Sequence, residues 1–290
     1  MRKRNIETAH VDIVRRLDEA RNNILTHGDI KNIFSENKKP WRLPSSMTIS
    51  AFIDYLLENT KLKTNYFTFP GKTFTRYAWG KPSIYTIVAS LKKDGYFTHQ
   101  TAMYFHKLTD LESDTIYLNV EQPQNVTHNR DLAQVRIDMA FSRNARTSNN
   151  CATHNGKTVY LLNGMHTGKL NVIRKITKGR ALYFTDLERT LIDIVVRPAY
   201  SGGIPSVIAA YQNAKEKMSI EKIYKTLQKL NYIYPYHQTI GFILENICGY
   251  AIKDVNILKR FGLKYDFYFA HNMKKTKYSP EWRLHYPENI

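Results

Sequence analysis

The sequence predicts an α+β chain in two parts: a smaller N-terminal part over residues 1–82 and a larger mixed α/β C-terminal part over 83–290. Three observations predict it. At roughly 150 residues per domain, 290 residues make about two domains. Aromatic residues are 12% of the chain, with 20 Tyr, 13 Phe and 3 Trp, enough to fill sizeable cores and too many for a disordered protein. The apolar pattern also changes at Gly80-Lys81-Pro82, from helices followed by a strand pair to alternating strands and helices.

The N-terminal elements follow in order. A helix is expected from Thr8 to Ile24, with Val11, Val14, Leu17 and Ile24 on one side, and a second from Gly28 to Phe34. Pro40 and Pro44 interrupt helical geometry in the connector that follows. From Thr48 to Asn59, Ile49, Phe52, Ile53, Leu56 and Leu57 recur at amphipathic spacing behind the capping types Ser45, Ser46 and Thr48. Leu62–Phe69 and Thr73–Trp79 read as strands around a Pro70-Gly71-Lys72 turn. Helices and then two strands are the layout of a winged helix-turn-helix.

Beyond Pro82, helices are expected at Ser83–Lys93, Thr98–Leu108 and near 130–141, 186–196, 205–217, 220–230, 237–249 and 253–261. Strands are expected at Thr115–Val120, Thr158–Met165, Val172–Ile176, Ala181–Phe184, Lys264–Ala270 and Trp282–Tyr286, with a loop over 142–157.

Charge narrows the partners. Lys plus Arg number 43 and Asp plus Glu 25, a net of +18, so the chain's field attracts polyanions, nucleic acid first. In the helix-turn-helix reading, the third helix meets duplex DNA through its first turn, at Ser45, Ser46, Thr48 and Ser50, with Arg42 just ahead. The wing supplies Lys61, Lys63, Lys72 and Arg76 for phosphates. Asp54 and Glu58 would repel phosphate, so later turns of that helix angle away. A second basic set, Arg130, Arg136, Arg143 and Arg146 with Arg174, Lys175, Lys178 and Arg180, would extend the footprint or simply be solvated.

In Tyr183–Asp193, Thr185 and Glu188 have capping-box spacing, and Arg189 and Asp193 can pair across one turn. Structural roles account for these residues. The functional alternative makes Asp186, Glu188, Arg189, Asp193 and Arg197 a polar surface for a partner.

Leu187-Glu188-Arg189-Thr190-Leu191-Ile192-Asp193, followed by Arg197-Pro198 and Gly202-Gly203, resembles the C-terminal domain of AbiE-type abortive-infection antitoxins, the AbiEi family. The helix entry Gly95-Tyr96-Phe97-Thr98-His99-Gln100-Thr101-Ala102 and the closing Trp282-Arg283 are similar to that family as well. The resemblance implies a repressor that binds inverted repeats ahead of its own operon. It also implies a type IV antitoxin in phage defence, whose nucleotidyltransferase-like toxin is a functional partner and not a stable physical one. The wing and first helices are longer than the family's compact form. The rival reading is a C-terminal domain that binds or modifies the toxin, with the DNA-binding half only setting expression.

Enzyme signatures are weak. Gly164-Met165-His166-Thr167-Gly168-Lys169-Leu170 imitates a phosphate loop but is one residue short between its glycines and has Leu170 where Ser or Thr would hold Mg²⁺. Asp186, Glu188 and Asp193 could serve a nuclease, but capping and pairing already employ them. No zinc spacing accompanies Cys151-x-x-His154. The expectation is a non-enzyme without metal or cofactor. Two cysteines, no signal core after Met1-Arg2-Lys3-Arg4 and no apolar run long enough to span a bilayer point to the cytoplasm, away from membranes.

Overall fold

The computed structural model describes residues 6–20, 22–109, 112–124, 132–177 and 180–290, so Arg130 and Lys178 lie outside the described residues. Helices and strands mix along the chain, which is α+β. A 3-10 turn (Ile6–Ala9) leads into α1 (His10–Asp18), β1 (Ile24–Leu25), α2 (His27–Asn37), α3 (Ile49–Asn59), β2 (Leu62–Phe69), β3 (Lys72–Trp79) and α4 (Ile84–Ala89). Then come β4 (Tyr96–Phe97), α5 (His99–Phe105), β5 (Thr115–Glu121), α6 (Gln134–Phe141), β6 (Cys151–His154), β7 (Lys157–Gly164), β8 (Val172–Thr177) and β9 (Arg180–Thr185). The chain continues with α7 (Leu187–Val196), α8 (Gly203–Ala214), α9 (Ile220–Leu230), α10 (Tyr236–Phe242) running into a π turn, α11 (Ile252–Val255), β10 (Phe267–Tyr268), β11 (Thr276–Ser279) and β12 (Leu284–Pro287).

Two compact units result: Met1–Asp94 with Asn150–Thr158, and Gly95–Asn149 with Val159–Ile290. The division falls after Asp94 and not after Pro82, so α4 belongs to the first unit, as do β6 and the start of β7.

In the first unit α1 stops at Asp18, six residues before the expected end, because Ile24 is drawn into a strand opposite Ala78 of β3. Of the expected stripe, Val11 is exposed, and it is Ile13 and Leu17 that face the core. A reciprocal capping box starts α2: Asp29 N–H donates to Thr26 Oγ1 at 3.2 Å, and Thr26 N–H donates to Asp29 Oδ2 at 2.7 Å. Phe52 and Leu56 of α3 are fully buried, and the Phe52 ring lies 5.0 Å from Phe34 and 6.0 Å from Trp41, centroid to centroid. Each such side chain adds about 1.5–3 kcal/mol of burial. A sheet of order β1-β3-β2 completes the unit, with Leu62 opposite Trp79 at its base.

The second unit carries the strand order β7-β5-β4-β9-β8 and a small sheet β10-β12-β11. Its core is built from α7 to α10 around Leu191, Ile194, Tyr211, Ile240 and Trp282. Gly241 makes room for that indole: a Cβ there would stand 2.1 Å from Trp282 Cζ3. Gln238 Nε2 fastens the closing segment by donating to the carbonyls of Trp282 at 2.7 Å and Arg283 at 3.0 Å. No helix among the described residues is long and apolar enough to cross a membrane.

Candidate nucleic-acid interface

The connector between α2 and α3 is fixed from inside. Trp41 N–H donates to Asn37 O and Leu43 N–H to Lys38 O, while Lys38 Nζ donates to the carbonyls of Ser45 at 2.9 Å and Met47 at 2.8 Å. Arg42 turns through a left-handed conformation, φ 55°, and its side chain is exposed beside exposed Lys39. Ser45, Ser46, Thr48 and Ser50 are all exposed around the start of α3. Thr48 already has a task, since its Oγ1 accepts from Ala51 N–H at 3.2 Å as the helix cap. Asp54 and Glu58 are exposed farther along α3.

The strand pair expected as a wing forms the β2–β3 ribbon, but its cations are not all available. The register places Lys63, Asn65, Phe67 and Phe69 on one face with Ala78, Arg76, Phe74 and Lys72 opposite. This face is largely covered. Arg76 Nη2 donates to Ser90 O at 2.9 Å and Nη1 to Thr75 O at 2.9 Å, so its guanidinium ties β3 to the end of α4. Burial lowers its pKa from the usual arginine range. His154 of β6 lies against Phe67 with ring centroids 4.5 Å apart, its Nδ1 3.2 Å from Tyr66 O. Lys61 pairs with Asp18 and sits 5.1 Å over the Trp79 ring. Arg76 and Lys61 therefore each have a partner within the unit, Arg76 half-buried and Lys61 still exposed. Lys63 and Lys72 remain exposed, Lys72 at the ribbon turn over Phe74 at 4.9 Å. The opposite face of the ribbon is uncharged; toward the turn it shows Tyr66, 61% exposed, with Thr68 and Thr73.

The five residues expected to form a polar surface on the second unit are redistributed. Asp186, Glu188, Arg189 and Asp193 are buried, and Arg197 alone of the five is exposed. The cap of α7 is Asp186, one residue after Thr185, with Arg189 N–H donating to Asp186 Oδ1 at 2.9 Å. Lys222 bridges Asp186 and Glu188 at 2.9 and 2.6 Å, and Glu188 also accepts from Ser219 N–H at 3.1 Å. Arg189 Nε donates to Asp193 Oδ1 at 2.7 Å, the one-turn pair the spacing predicts. Burial acts against the guanidinium's charge, and the adjacent Asp193 carboxylate holds the arginine pKa above its usual value. This is paired charge enclosed within the unit, not an open surface.

The phosphate-loop imitation encloses an anion of the protein's own. The backbone N–H groups of Thr167 and Lys169 donate to Glu121 at 2.9 and 3.0 Å, Thr167 Oγ1 donates to it too, and Tyr96 OH donates at 2.9 Å. Burial pushes the Glu121 carboxyl upward, and these donors outweigh it, leaving its pKa below the usual carboxylate range. Nothing in the local sequence of Glu121 marks it as the occupant; the loop's glycines and hydroxyls are the legible half of the arrangement. No group of three or more His, Cys, Asp or Glu poised for a metal occurs among the described residues.

No protein-family model matches the chain, and no curated protein matches it either. Among solved structures, it is similar to the crystal structure of the RV2827C protein from Mycobacterium tuberculosis, with a TM-score of 0.63 and 14% identity over 98% of this chain and 93% of that one. At that identity the likeness is one of fold.

Proposed function

We propose that the first unit is a winged helix-turn-helix that binds duplex DNA, and that the chain is a cytoplasmic transcriptional repressor and antitoxin of a type IV toxin–antitoxin system. The observation that carries the DNA reading is the α2–α3 connector. Its backbone is locked by Lys38, and it presents Arg42, Ser45 and Ser46 together with Ser50 outward at the start of an eleven-residue helix. Cations and hydroxyls at a helix start suit phosphate and base edges. The ribbon that follows α3 adds Lys63 and Lys72, and a net charge of +18 favours encounter with a polyanion. The antitoxin half of the reading rests on the resemblance of Leu187–Asp193 and Gly95–Ala102 to the AbiEi pattern. It assigns the chain no catalytic step.

The test is a fluorescence-anisotropy titration of the full chain against duplexes from the region upstream of its own gene, repeated over a salt series. Binding to an inverted repeat with a steep fall in affinity as salt rises supports the reading. Equal, weak affinity for every duplex removes the repressor role. A full-length Arg42→Glu, Lys72→Glu chain, co-expressed with the nucleotidyltransferase-like toxin that the resemblance implies, then separates repression from antitoxicity.

A further inference from the structure

Strand β8 stands last in its sheet and, among the described residues, pairs on one side only, with β9. Asp186 N–H donates to Asn171 O at 2.8 Å, which makes that opposed pair a hydrogen-bonded one. In an antiparallel ladder bonded and non-bonded pairs alternate. The bonded pairs of this register are then Ile173 with Phe184 and Lys175 with Leu182. The N–H and C=O groups of Arg174 and Ile176 point the other way, out of the sheet edge.

The side chains along this edge combine the charges of a guarded strand with exposed apolar residues. Native edges are commonly blunted by lysine, arginine or proline. Here the adjacent cations Arg174 and Lys175 are flanked by Ile173, 39% exposed, and Ile176, 61% exposed, so each face of the strand carries one cation and one isoleucine. Tyr183, 47% exposed, stands opposite Arg174 on the same face. Residues 172–177 and 180–184 include no acidic side chain.

We infer that β8 is a docking edge for an extended, acidic segment of another protein, which adds as a further strand. The outward backbone groups of Arg174 and Ile176 supply the ladder, the two isoleucines supply apolar contact, and Arg174 and Lys175 select carboxylates. A second copy of this edge is a poor occupant, because it would set arginine and lysine against their like. Duplex DNA would satisfy the cations but leave the isoleucines and the outward amides unmatched. The inference stands apart from the DNA reading of the first unit, and either can fail without the other.

The probe is a fluorescein-labelled peptide of about eight residues alternating valine and glutamate, titrated with the full-length chain. Saturable binding is expected. Ile176→Pro removes an outward N–H without removing a bond to β9, and proline is tolerated on an edge. It should weaken binding by about tenfold or more while the thermal melt stays in place. Arg174→Glu with Lys175→Glu should weaken it comparably. Absence of binding by the unaltered chain overturns the inference. So does binding that responds to the charge reversal but not to Ile176→Pro, since attraction alone would then explain it. Displacement of the peptide by a random duplex, with the duplex itself no longer bound by the charge-reversed chain, would reassign the edge to nucleic acid.

Discussion

Arg189 and Asp193 meet one turn apart on α7 inside the second unit, Nε to Oδ1 at 2.7 Å, with side chains only 7% and 6% exposed. Arg189 Nη1 reaches Leu170 O at 3.3 Å, whereas Asp193 Oδ2 has no hydrogen-bond partner among the described residues. Removing the arginine would leave a buried carboxylate with nothing to balance it. Arg189→Met should therefore destabilise the protein by about 3–5 kcal/mol in a denaturant titration. Adding Asp193→Leu should restore much of that stability, because an apolar pair needs no compensation. If Arg189→Met melts like the unaltered chain, the pair is not structural and the polar-surface reading of α7 returns.

Glu121 gives a second test, with a direction in pH. Its folded pKa lies below the ordinary glutamate value of 4.5. A carboxyl depressed on folding stabilises above its unfolded pKa, and that contribution disappears as pH falls through 4.5 toward the folded value. Glu121→Gln keeps the shape but replaces one carboxylate oxygen with an NH2 that meets either the Thr167 N–H or the Lys169 N–H, since these donate to different oxygens. It should cost about 1–3 kcal/mol near pH 7. Melting curves of the two chains should converge as pH drops below 4.5. A constant gap across that range would show that the loop does not read the charge of Glu121.

Two enclosed histidines act in the neighbouring pH range. His99 lies between Tyr117 and Tyr200, centroids 6.1 and 5.3 Å away, and burial pushes its pKa from 6.5 down to about 3. His237 is pushed from 6.5 down to about 4, again by burial, although its Nε2 contact to Gly262 O opposes the shift. Below pH 6.5 the unfolded chain takes up protons that the folded chain refuses, so stability falls as pH goes from 6.5 toward about 4. His99→Asn suits the local φ of 52° and removes one titrating group. Its stability should depend less steeply on pH in that window, as read by denaturation at several pH values.

Part of this is legible from residue order. The stripe Ile49, Phe52, Ile53, Leu56 and Leu57 predicts α3, and Phe52, Ile53 and Leu56 are indeed buried. The strand pair beyond it emerges from Pro70-Gly71-Lys72 and nearby β-formers. The strands β1, β4, β6 and β11 leave no such trace. They are two to four residues long, too short to show a period, and for β1 and β4 the partners are distant as well, Ala78 for Ile24 and Asn119 for Tyr96. The candidate site is the hardest part to read, because its pairing is long-range. Lys61 is claimed by Asp18, 43 positions away, and Arg76 by Ser90, 14 away, and no local pattern announces either partner. For α7 the spacing predicts the Arg189–Asp193 pair, yet the same letters read equally as an exposed face, because spacing along one helix does not say what covers it.

That division of the cations yields the sharpest test of the DNA reading. Arg42, Lys63 and Lys72 are exposed, whereas Lys61 is bound to Asp18 and Arg76 to the carbonyls of Ser90 and Thr75. A side chain that neutralises a phosphate releases a counterion, so its removal flattens the plot of log affinity against log salt by about one unit. Arg42→Ala and Lys72→Ala should each reduce the slope by about that much, uniformly over DNA sequences. Lys61→Ala should leave the slope unchanged. Arg76→Ala should lower the melting temperature, since the guanidinium's removal leaves the Ser90 carbonyl without that donor and β3 loose from the end of α4. Its slope, measured below the melt, should match the unaltered chain. Ser46→Ala and Ser50→Ala should instead change which duplexes are preferred, by about 1–3 kcal/mol for each hydrogen bond to a base edge that the hydroxyl makes. Should Lys61→Ala flatten the slope while Lys72→Ala does not, phosphate is met at the base of the ribbon rather than at its turn, and the proposed orientation of the ribbon on DNA is reversed.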